Sequence, residues 1–155
     1  MNPPLRSDDH RTALIDALRD GTIAAVATDH APHATAEKEV PFESAPFGVI
    51  GLETAFGALN TYLVEPGVLR LETVLERMSA GPARAFGLEA PALRSGSPAN
   101  LVVWDLSRDW LVRPPYASRS TNCAFDGQML RGICTLTIAA GSVAHRALHV
   151  AEVAP

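Results

Sequence analysis

The sequence predicts an α/β fold followed by a small β module, and three observations lead to this prediction. A helical pattern over residues 7–21 precedes a continuously apolar stretch at residues 22–28. Polar residues gather directly after that stretch, at residues 29–33. From Ser95 onward the composition changes to turn residues separated by short apolar runs. A helix followed by a fully buried strand is typical of parallel sheets covered by helices.

The first helix is predicted between a cap at Ser7 and a stop at Gly21. Ser7 can serve as the N-cap, and Asp8 and Asp9 then lie near the positive end of the helix dipole. The apolar stripe of this helix consists of Leu14, Ile15 and Leu18. We expect the stripe to face a core.

Residues 22–28 are predicted to form a strand buried on both faces, because their apolar residues are continuous rather than alternating. Asp29 then falls at the C-terminal end of that strand. In (β/α)8 barrels the chemistry lies at the C-terminal ends of the strands. We therefore expect the last βα units of a (β/α)8 TIM-type barrel, with the long loop at residues 30–51 on its catalytic face.

The rest of the chain is predicted as a helical middle and a β module. Helices are expected from Gly51 to the break at Pro66-Gly67, at residues 71–80, and in a short turn that begins at Pro82 and ends at Gly87. Short strands are expected at residues 101–104, 110–112, 133–138 and 142–144. The sequence thus divides into a barrel segment at residues 1–92, a β module at residues 93–150 and a tail at residues 151–155, and only the residues after His149 are expected to fray.

Composition excludes several classes of partner. The chain has 13 Lys and Arg against 17 Asp and Glu, a formal net charge of −4, and no basic run that could follow phosphates. Its apolar stretches are far shorter than the roughly 18 to 20 residues of a membrane span. Two cysteines suggest no disulfide framework. With no secretory leader recognisable, we expect a cytoplasmic protein that binds neither nucleic acid nor membrane.

Chemistry is concentrated in Asp29-His30-Ala31-Pro32-His33, which places one carboxylate and two imidazoles directly after the buried strand. By residue type alone this is a moderate metal signal, because a catalytic zinc site commonly needs three protein ligands and a water. The alternative interpretation is a polar loop with one packed histidine. Position at the barrel mouth is more informative than the residue types.

Four segments in order resemble the dihydroorotases of the amidohydrolase superfamily. They are Asn2-Pro3-Pro4-Leu5-Arg6, residues 27–33, Glu37-Lys38-Glu39 and residues 45–54. The resemblance continues through residues 81–84, 96–101 and 125–127, so it covers nearly the whole chain. It implies the C-terminal portion of a zinc-dependent cyclic amidohydrolase with one or two metal ions. The implied fold is the end of the barrel and the β module of the composite amidohydrolase domain, and the implied hydrolase reaction interconverts N-carbamoyl-L-aspartate and dihydroorotate in pyrimidine biosynthesis.

The resemblance also implies roles for individual residues. Asp29 matches the aspartate that binds the metal and moves the proton, and His33 matches a histidine that contacts the substrate. Asn2 matches the asparagine that holds the pyrimidine ring or carboxylate, and Phe47 and Gly48 match loop positions whose backbone binds the ring. Two alternatives stay open, since Asn2 could cap a turn and Gly48 could be a loop hinge.

Other polar residues are expected to be structural or solvated. His30 is interpreted as a packed histidine, and Glu37, Lys38 and Glu39 as a solvated charge cluster on a mobile loop. We assign no role to His10, His145 or His149, and we expect Arg6 in solvent or in a structural salt bridge. Asn100 and Cys123-Ala124 depart from the usual Asp and Thr-Pro of the family, which bears on packing of the β module.

The sequence contains no His-x-His, and a (β/α)8 barrel typically takes about 250 residues. We therefore expect a fragment that cannot complete the metal site and is inactive alone. An alternative is a non-catalytic binding or scaffold module that self-associates or pairs with the missing barrel portion. A second alternative is a hydantoinase or allantoinase relative. Asn2 and His33 favour dihydroorotate over the substrates of those enzymes.

Overall fold

The three regular strands follow the helices along the chain, as expected for the β module. The computed structural model describes residues 2–90 and 92–147, so the predicted tail 151–155 and His149 lie outside the described residues. The helices are α1 (Asp8–Asp20), α2 (Thr35–Lys38), α3 (Ala55–Leu59), α4 (Leu71–Met78) and α5 (Ala80–Ala85). A 3-10 turn covers Phe42–Ser44, and a π-helical turn covers Asn60–Val64. The strands are β1 (Leu101–Leu111), β2 (Met129–Ala139) and β3 (Ser142–Arg146).

Helix α1 has the predicted bounds but not the predicted burial. Gly21 ends it in the left-handed conformation at φ 95°, with its N–H bonded to the Ala17 carbonyl. Ser7 precedes the helix, yet its hydroxyl makes no capping hydrogen bond. None of the residues of α1 is buried, and Leu14 is 57% exposed. Ile15 and Leu18 are half-buried, so the apolar stripe is only partly covered by the described residues.

The predicted strand at residues 22–28 is not a regular strand in the structure. A parallel strand needs a neighbouring strand for its backbone hydrogen bonds. Within residues 2–90 and 92–147, this segment has no strand partner, and parallel pairing begins only after it, as an isolated bridge between His30 and Val49. The prediction failed because an apolar sequence does not itself supply a sheet.

Helix α4, rather than a neighbouring strand, anchors the backbone of residues 22–28. The Val26 N–H donates to the Arg77 carbonyl at 2.9 Å. The buried Arg77 side chain donates from Nε to the Leu18 carbonyl, also at 2.9 Å. A Cβ on Gly81 of α5 would lie 2.1 Å from the Ala24 carbonyl oxygen. Helices α4 and α5 therefore pack directly on the backbone of the segment.

The predicted helix at residues 51–65 begins later and changes its geometry. Turns precede α3, and after Leu59 the backbone continues as the π-helical turn. The side chain of Asn60 lies at this change and is only 1% exposed. Its amide donates to the carbonyls of Leu106 and Arg131, at 3.3 and 3.0 Å. A buried amide that satisfies two strand carbonyls ties the helical region to the sheet.

The β module is a three-stranded antiparallel sheet in the order β1-β2-β3. The two short strands predicted at residues 101–104 and 110–112 form a single strand, β1, with a register irregularity between Asp105 and Asp109. At this irregularity the Asp105 carboxylate accepts hydrogen bonds from the N–H and hydroxyl of Ser107. The prediction of two strands was wrong because these polar residues satisfy a local bulge rather than a break. At the start of β1, the Asn100 side chain accepts from the Ala140 N–H at 2.8 Å.

The core lies between α3 and the sheet. Phe56 and Trp104 stack with ring centroids 4.0 Å apart, and Leu130 is fully buried nearby on β2. At the edge of this core, Arg131 donates two hydrogen bonds to Asp109, and these hold the pKa of the Asp109 carboxyl below its usual value. None of the described helices is long and apolar enough to span a membrane.

Candidate functional site

Asp29 has an unusual backbone and an unengaged side chain. Its φ is 46°, in the left-handed region that non-glycine residues rarely adopt, although Asp tolerates it better than most. The residue is exposed. Among the described residues, nothing hydrogen-bonds or ion-pairs with its carboxylate. Strained residues of this kind concentrate at active sites.

His30 is engaged by the protein, in agreement with the structural role expected for it. Its Nδ1 accepts hydrogen bonds from the N–H groups of Gly51 and Leu52, at 3.1 and 3.4 Å. Because Nδ1 accepts, the neutral ring carries its proton on Nε2. His30 thus joins the end of the 22–28 segment to the turn before α3.

His33 contacts the loop that carries Phe47. Its Nε2 lies 2.9 Å from the Phe47 carbonyl oxygen, and since a carbonyl only accepts, Nε2 is the donor. Its Nδ1 faces the Glu37 carboxylate at 3.6 Å. The structure thus brings together two of the predicted site positions, His33 and Phe47.

Both the backbone conformation at position 48 and the close approach of Ala31 require a glycine there. The φ of Gly48 is 106°, and a Cβ placed on it would lie 2.4 Å from the Cβ of Ala31. Its carbonyl accepts hydrogen bonds from Lys38 and Asn122. Within the described residues, the N–H groups of Phe47 and Gly48 make no hydrogen bond. The loop therefore presents free donors, while its carbonyls are satisfied by the protein.

Gly48→Ala is expected to lower the free energy of unfolding by about 2 kcal/mol, from the left-handed backbone and the steric overlap together. Ala31→Gly removes the atom that the new Cβ would strike. The double variant should therefore be more stable than the sum of the single effects by about 1 kcal/mol, in a double-mutant cycle of urea unfolding. Strict additivity would show that the two residues are not in contact.

A second wall of the site comes from the loop between β1 and β2. Ser120 is buried, and its hydroxyl exchanges hydrogen bonds with the backbone N–H and carbonyl of His33. Asn122 donates from its side chain to the carbonyls of Ala31 and Gly48, at 3.2 and 3.1 Å. Sequence reasoning missed both residues. The available signal was the polar run at residues 118–122, which lies in a long loop between two strands.

The Glu53 side chain also binds the loop between β1 and β2. Its two carboxylate oxygens accept from the N–H groups of Ala117 and Ser118, at 2.9 and 3.1 Å. The Ile50 N–H also donates to the Asn122 carbonyl at 3.1 Å. The β module is thus joined directly to the residues that follow Asp29.

The interpretation of residues 37–39 as a solvated cluster is wrong for Lys38. This side chain is half-buried, and its Nζ donates to the carbonyls of Pro46 and Gly48, both at 2.7 Å. The reason is its position as the last residue of the short helix α2, from which its side chain reaches the loop at residues 46–48. Glu37 accepts from the Ala34 N–H at 2.8 Å, and only Glu39 remains exposed without a side-chain partner among the described residues.

The remaining predicted positions are more isolated. Asn2 is exposed and makes no hydrogen bond with the described residues, and the Phe47 ring is 65% exposed. No three His, Cys, Asp or Glu side chains converge to hold a metal within residues 2–90 and 92–147. Three side chains at residues 29–33 could bind an ion. The rings of His30 and His33 are hydrogen-bonded to the protein backbone, so the Asp29 carboxylate is the group that stays available.

A protein family and individual relatives both match most of this chain. Residues 2–144 match the family described as the Amidohydrolase family. The chain is 45% identical over 144 residues to a dihydroorotase from Bacillus caldolyticus, covering 92% of this chain and 34% of that relative. It is 49% identical over 133 residues to a dihydroorotase from Chlorobaculum tepidum, covering 85% of this chain and 30% of that relative.

A solved structure is similar over the same extent. The D-hydantoinase (dihydropyrimidinase) from Thermus sp. superposes with a TM-score of 0.84 at 31% sequence identity, covering 94% of this chain and 33% of that protein. The chain thus spans about a third of the length of the curated relatives it matches.

Proposed function

The chain belongs to the amidohydrolase family, and we propose on this premise that it forms one wall of a dihydroorotase active site. The reaction would interconvert dihydroorotate and N-carbamoyl-L-aspartate, a step of pyrimidine biosynthesis. The observation that carries the proposal is the Asp29 carboxylate, which has no protein partner among the described residues and precedes a loop whose backbone donors are also free. The identity to dihydroorotases supports the choice of substrate.

Asp29 would act as both metal ligand and proton carrier. Zinc, one or two ions in the complete enzyme, would supply Lewis-acid polarisation of the substrate carbonyl. In the hydrolytic direction, a water oxygen bonds to the ring carbonyl carbon and the ring C–N bond breaks. The Asp29 carboxylate takes the water proton and delivers it to the leaving nitrogen. A carboxylate held by protein hydrogen bonds could not do this as readily.

The donor set fits one corner of a zinc site. Carboxylate oxygen is a normal zinc ligand, and catalytic zinc commonly takes three protein ligands. Asp29 would supply one such ligand. The other ligands would come from the portion of the barrel that precedes this segment in the relatives.

Substrate binding would use the loop donors and His33. The N–H groups of Phe47 and Gly48 can donate to oxygens of the pyrimidine ring or its carboxylate. His33 borders the same loop through the Phe47 carbonyl. Asn2 would approach from the start of the segment and hold the ring or carboxylate. The substrate is a small anion, and nucleic acid and membrane have no role in this proposal.

We further propose that residues 1–92 form the last βα units of a TIM-type barrel and that residues 93–150 form the β module. The partly exposed stripe of α1 supports this division, because it borders a groove of about 1300 Å³ that α3 and the π-helical turn complete. The lining of this groove is mainly apolar, with Leu14, Leu18, Leu59 and Leu63 among its residues. The remaining barrel would fill this groove, which also makes self-association the expected behaviour of the isolated chain.

The test compares the chain alone with a hybrid enzyme, in which this chain replaces the matching third of the Bacillus caldolyticus dihydroorotase. The chain alone is expected to retain no stoichiometric zinc and to turn over no dihydroorotate. The hybrid enzyme is expected to do both, as measured by metal analysis and a dihydroorotate assay. Zinc and turnover in the chain alone would contradict the division of ligands proposed above.

A hydantoinase is the second candidate, favoured by the similarity to the Thermus structure. The hybrid enzyme would distinguish the two in a panel of dihydroorotate, hydantoin and allantoin. If the hybrid preferred hydantoin while the unaltered host enzyme did not, this chain would be assigned to the hydantoinases instead. A non-catalytic scaffold role would instead leave the hybrid inactive on all three.

A further inference from the structure

We propose that Lys38 is a positioning residue of this active site, which orients the substrate-facing N–H groups of the loop at residues 46–48. The inference rests on the proposed function for its effect on substrate binding. Its structural component, the orientation of the loop by one ammonium group, stands on the geometry of the chain alone. Lys38 touches neither the reacting atoms nor the Asp29 carboxylate in this scheme.

Three successive carbonyls of the loop each accept a hydrogen bond from the protein. Lys38 Nζ donates to Pro46 and Gly48 at 2.7 Å, and His33 Nε2 donates to Phe47 at 2.9 Å. Asn122 adds a second bond to the Gly48 carbonyl at 3.1 Å. The whole acceptor side of the loop is therefore directed at the protein.

The planarity of the peptide bond converts these contacts into an orientation of the donors. In a trans peptide the N–H points opposite to the carbonyl of the preceding residue. The Lys38 bond to the Pro46 carbonyl thus sets the direction of the Phe47 N–H. In the same way, the His33 bond to the Phe47 carbonyl sets the direction of the Gly48 N–H. Lys38 and His33 control adjacent donors.

The charge environment of Lys38 favours a persistent contact with the loop at residues 46–48. Lys38 is the only lysine among the 155 residues. No carboxylate of the described residues lies within ion-pair distance of its ammonium, so its charge is met by two carbonyl dipoles. Hydrogen bonds from a charged donor are short and about twice as strong as neutral ones. A compact ammonium can direct separate donors at two carbonyls, whereas a planar guanidinium presents its donors in a rigid fork.

Lys38→Met in the hybrid enzyme is expected to raise KM for dihydroorotate about tenfold, the equivalent of one charged hydrogen bond in the bound state. We expect kcat to change less than about threefold and the pH profile of kcat to stay unchanged, because Lys38 transfers no proton. Glu39→Gln is the matched control, since Glu39 is the exposed neighbour on the same turn. That variant should keep both constants.

A second measurement tests the order of the loop directly and does not depend on enzyme activity. In the isolated chain, the NMR order parameters of the Phe47 and Gly48 amides are expected to fall from roughly 0.85 to below about 0.6 in Lys38→Met, and to stay unchanged in Glu39→Gln. Unchanged order parameters, an unchanged KM, or a shifted pH profile would each overturn the positioning role. If instead the loop loosens but the unmutated hybrid is inactive, the proposed function fails while the role of Lys38 in the loop stands.

Discussion

Asp29→Asn is expected to lower kcat of the hybrid enzyme for dihydroorotate about a thousandfold, because the amide can neither take the proton from water nor pass it to the leaving nitrogen. Asparagine also tolerates the left-handed backbone, at φ 46° here, so the substitution changes the proton chemistry without adding strain. The unfolding midpoint of the isolated chain should therefore stay the same. Steady-state kinetics and urea unfolding measure the two effects separately.

Asp8→Asn serves as the control for Asp29→Asn. Asp8 is exposed in the first turn of α1, outside both the proposed site and the apolar groove, and its loss should leave kcat within about twofold of the parent, as is usual for an exposed charge. A kcat for Asp29→Asn that stays within about tenfold of the parent would remove Asp29 from the proton path. The free state of its carboxylate would then need another explanation.

Gly81→Ala is expected to be the most destabilising Gly→Ala substitution among the glycines, at about 3 kcal/mol. The new Cβ would lie 2.1 Å from the Ala24 carbonyl oxygen and 3.0 Å from that of Glu76. Both contacts are with backbone, so no side-chain rotation can relieve them. The segment that leads to Asp29 would have to move away from α4 and α5. Urea unfolding of the isolated chain measures the loss.

Gly67→Ala makes the same chemical change in open space. Nothing lies within 4 Å of the Cβ position at Gly67, but its φ is 71°. Its expected cost is about 1 kcal/mol, from backbone conformation alone. Equal losses for the two variants would show that the close approach at Gly81 does not limit stability.

Local patterns predicted the elements whose causes are local. The bounds of α1 followed from acidic residues in its first turn and from Gly21, and the position of the β module after the helical middle followed from periodicity and composition. The strand at residues 22–28 was wrong because its regularity depends on neighbouring strands that the described residues do not contain. The division of β1 was wrong because Asp105 and Ser107 satisfy a bulge within one strand rather than a turn between two.

The candidate site divides in the same way. Asp29 and His33 were predicted as site residues from their position after an apolar stretch and from the resemblance to the dihydroorotases, and their roles stay predictions. Ser120 and Asn122 could not be predicted, because their hydrogen bonds to residues 33 and 31 join positions 87 and 91 apart in the chain. The interpretation of Lys38 was wrong because its neighbours are charged, while its own partners are two carbonyls that no pattern of side chains reveals.

The anchoring of the 22–28 segment by Arg77 also has a consequence during synthesis of the protein. The two contacts of Arg77, with the Val26 N–H and the Leu18 carbonyl, cannot form until α4 has left the ribosome, and Leu18 precedes Arg77 by 59 positions. At about 5 to 20 residues per second, the backbone before Asp29 waits on the order of seconds for its anchor. In that interval the apolar segment is open to chaperones or to another nascent chain, and we expect it to be a site of misfolding.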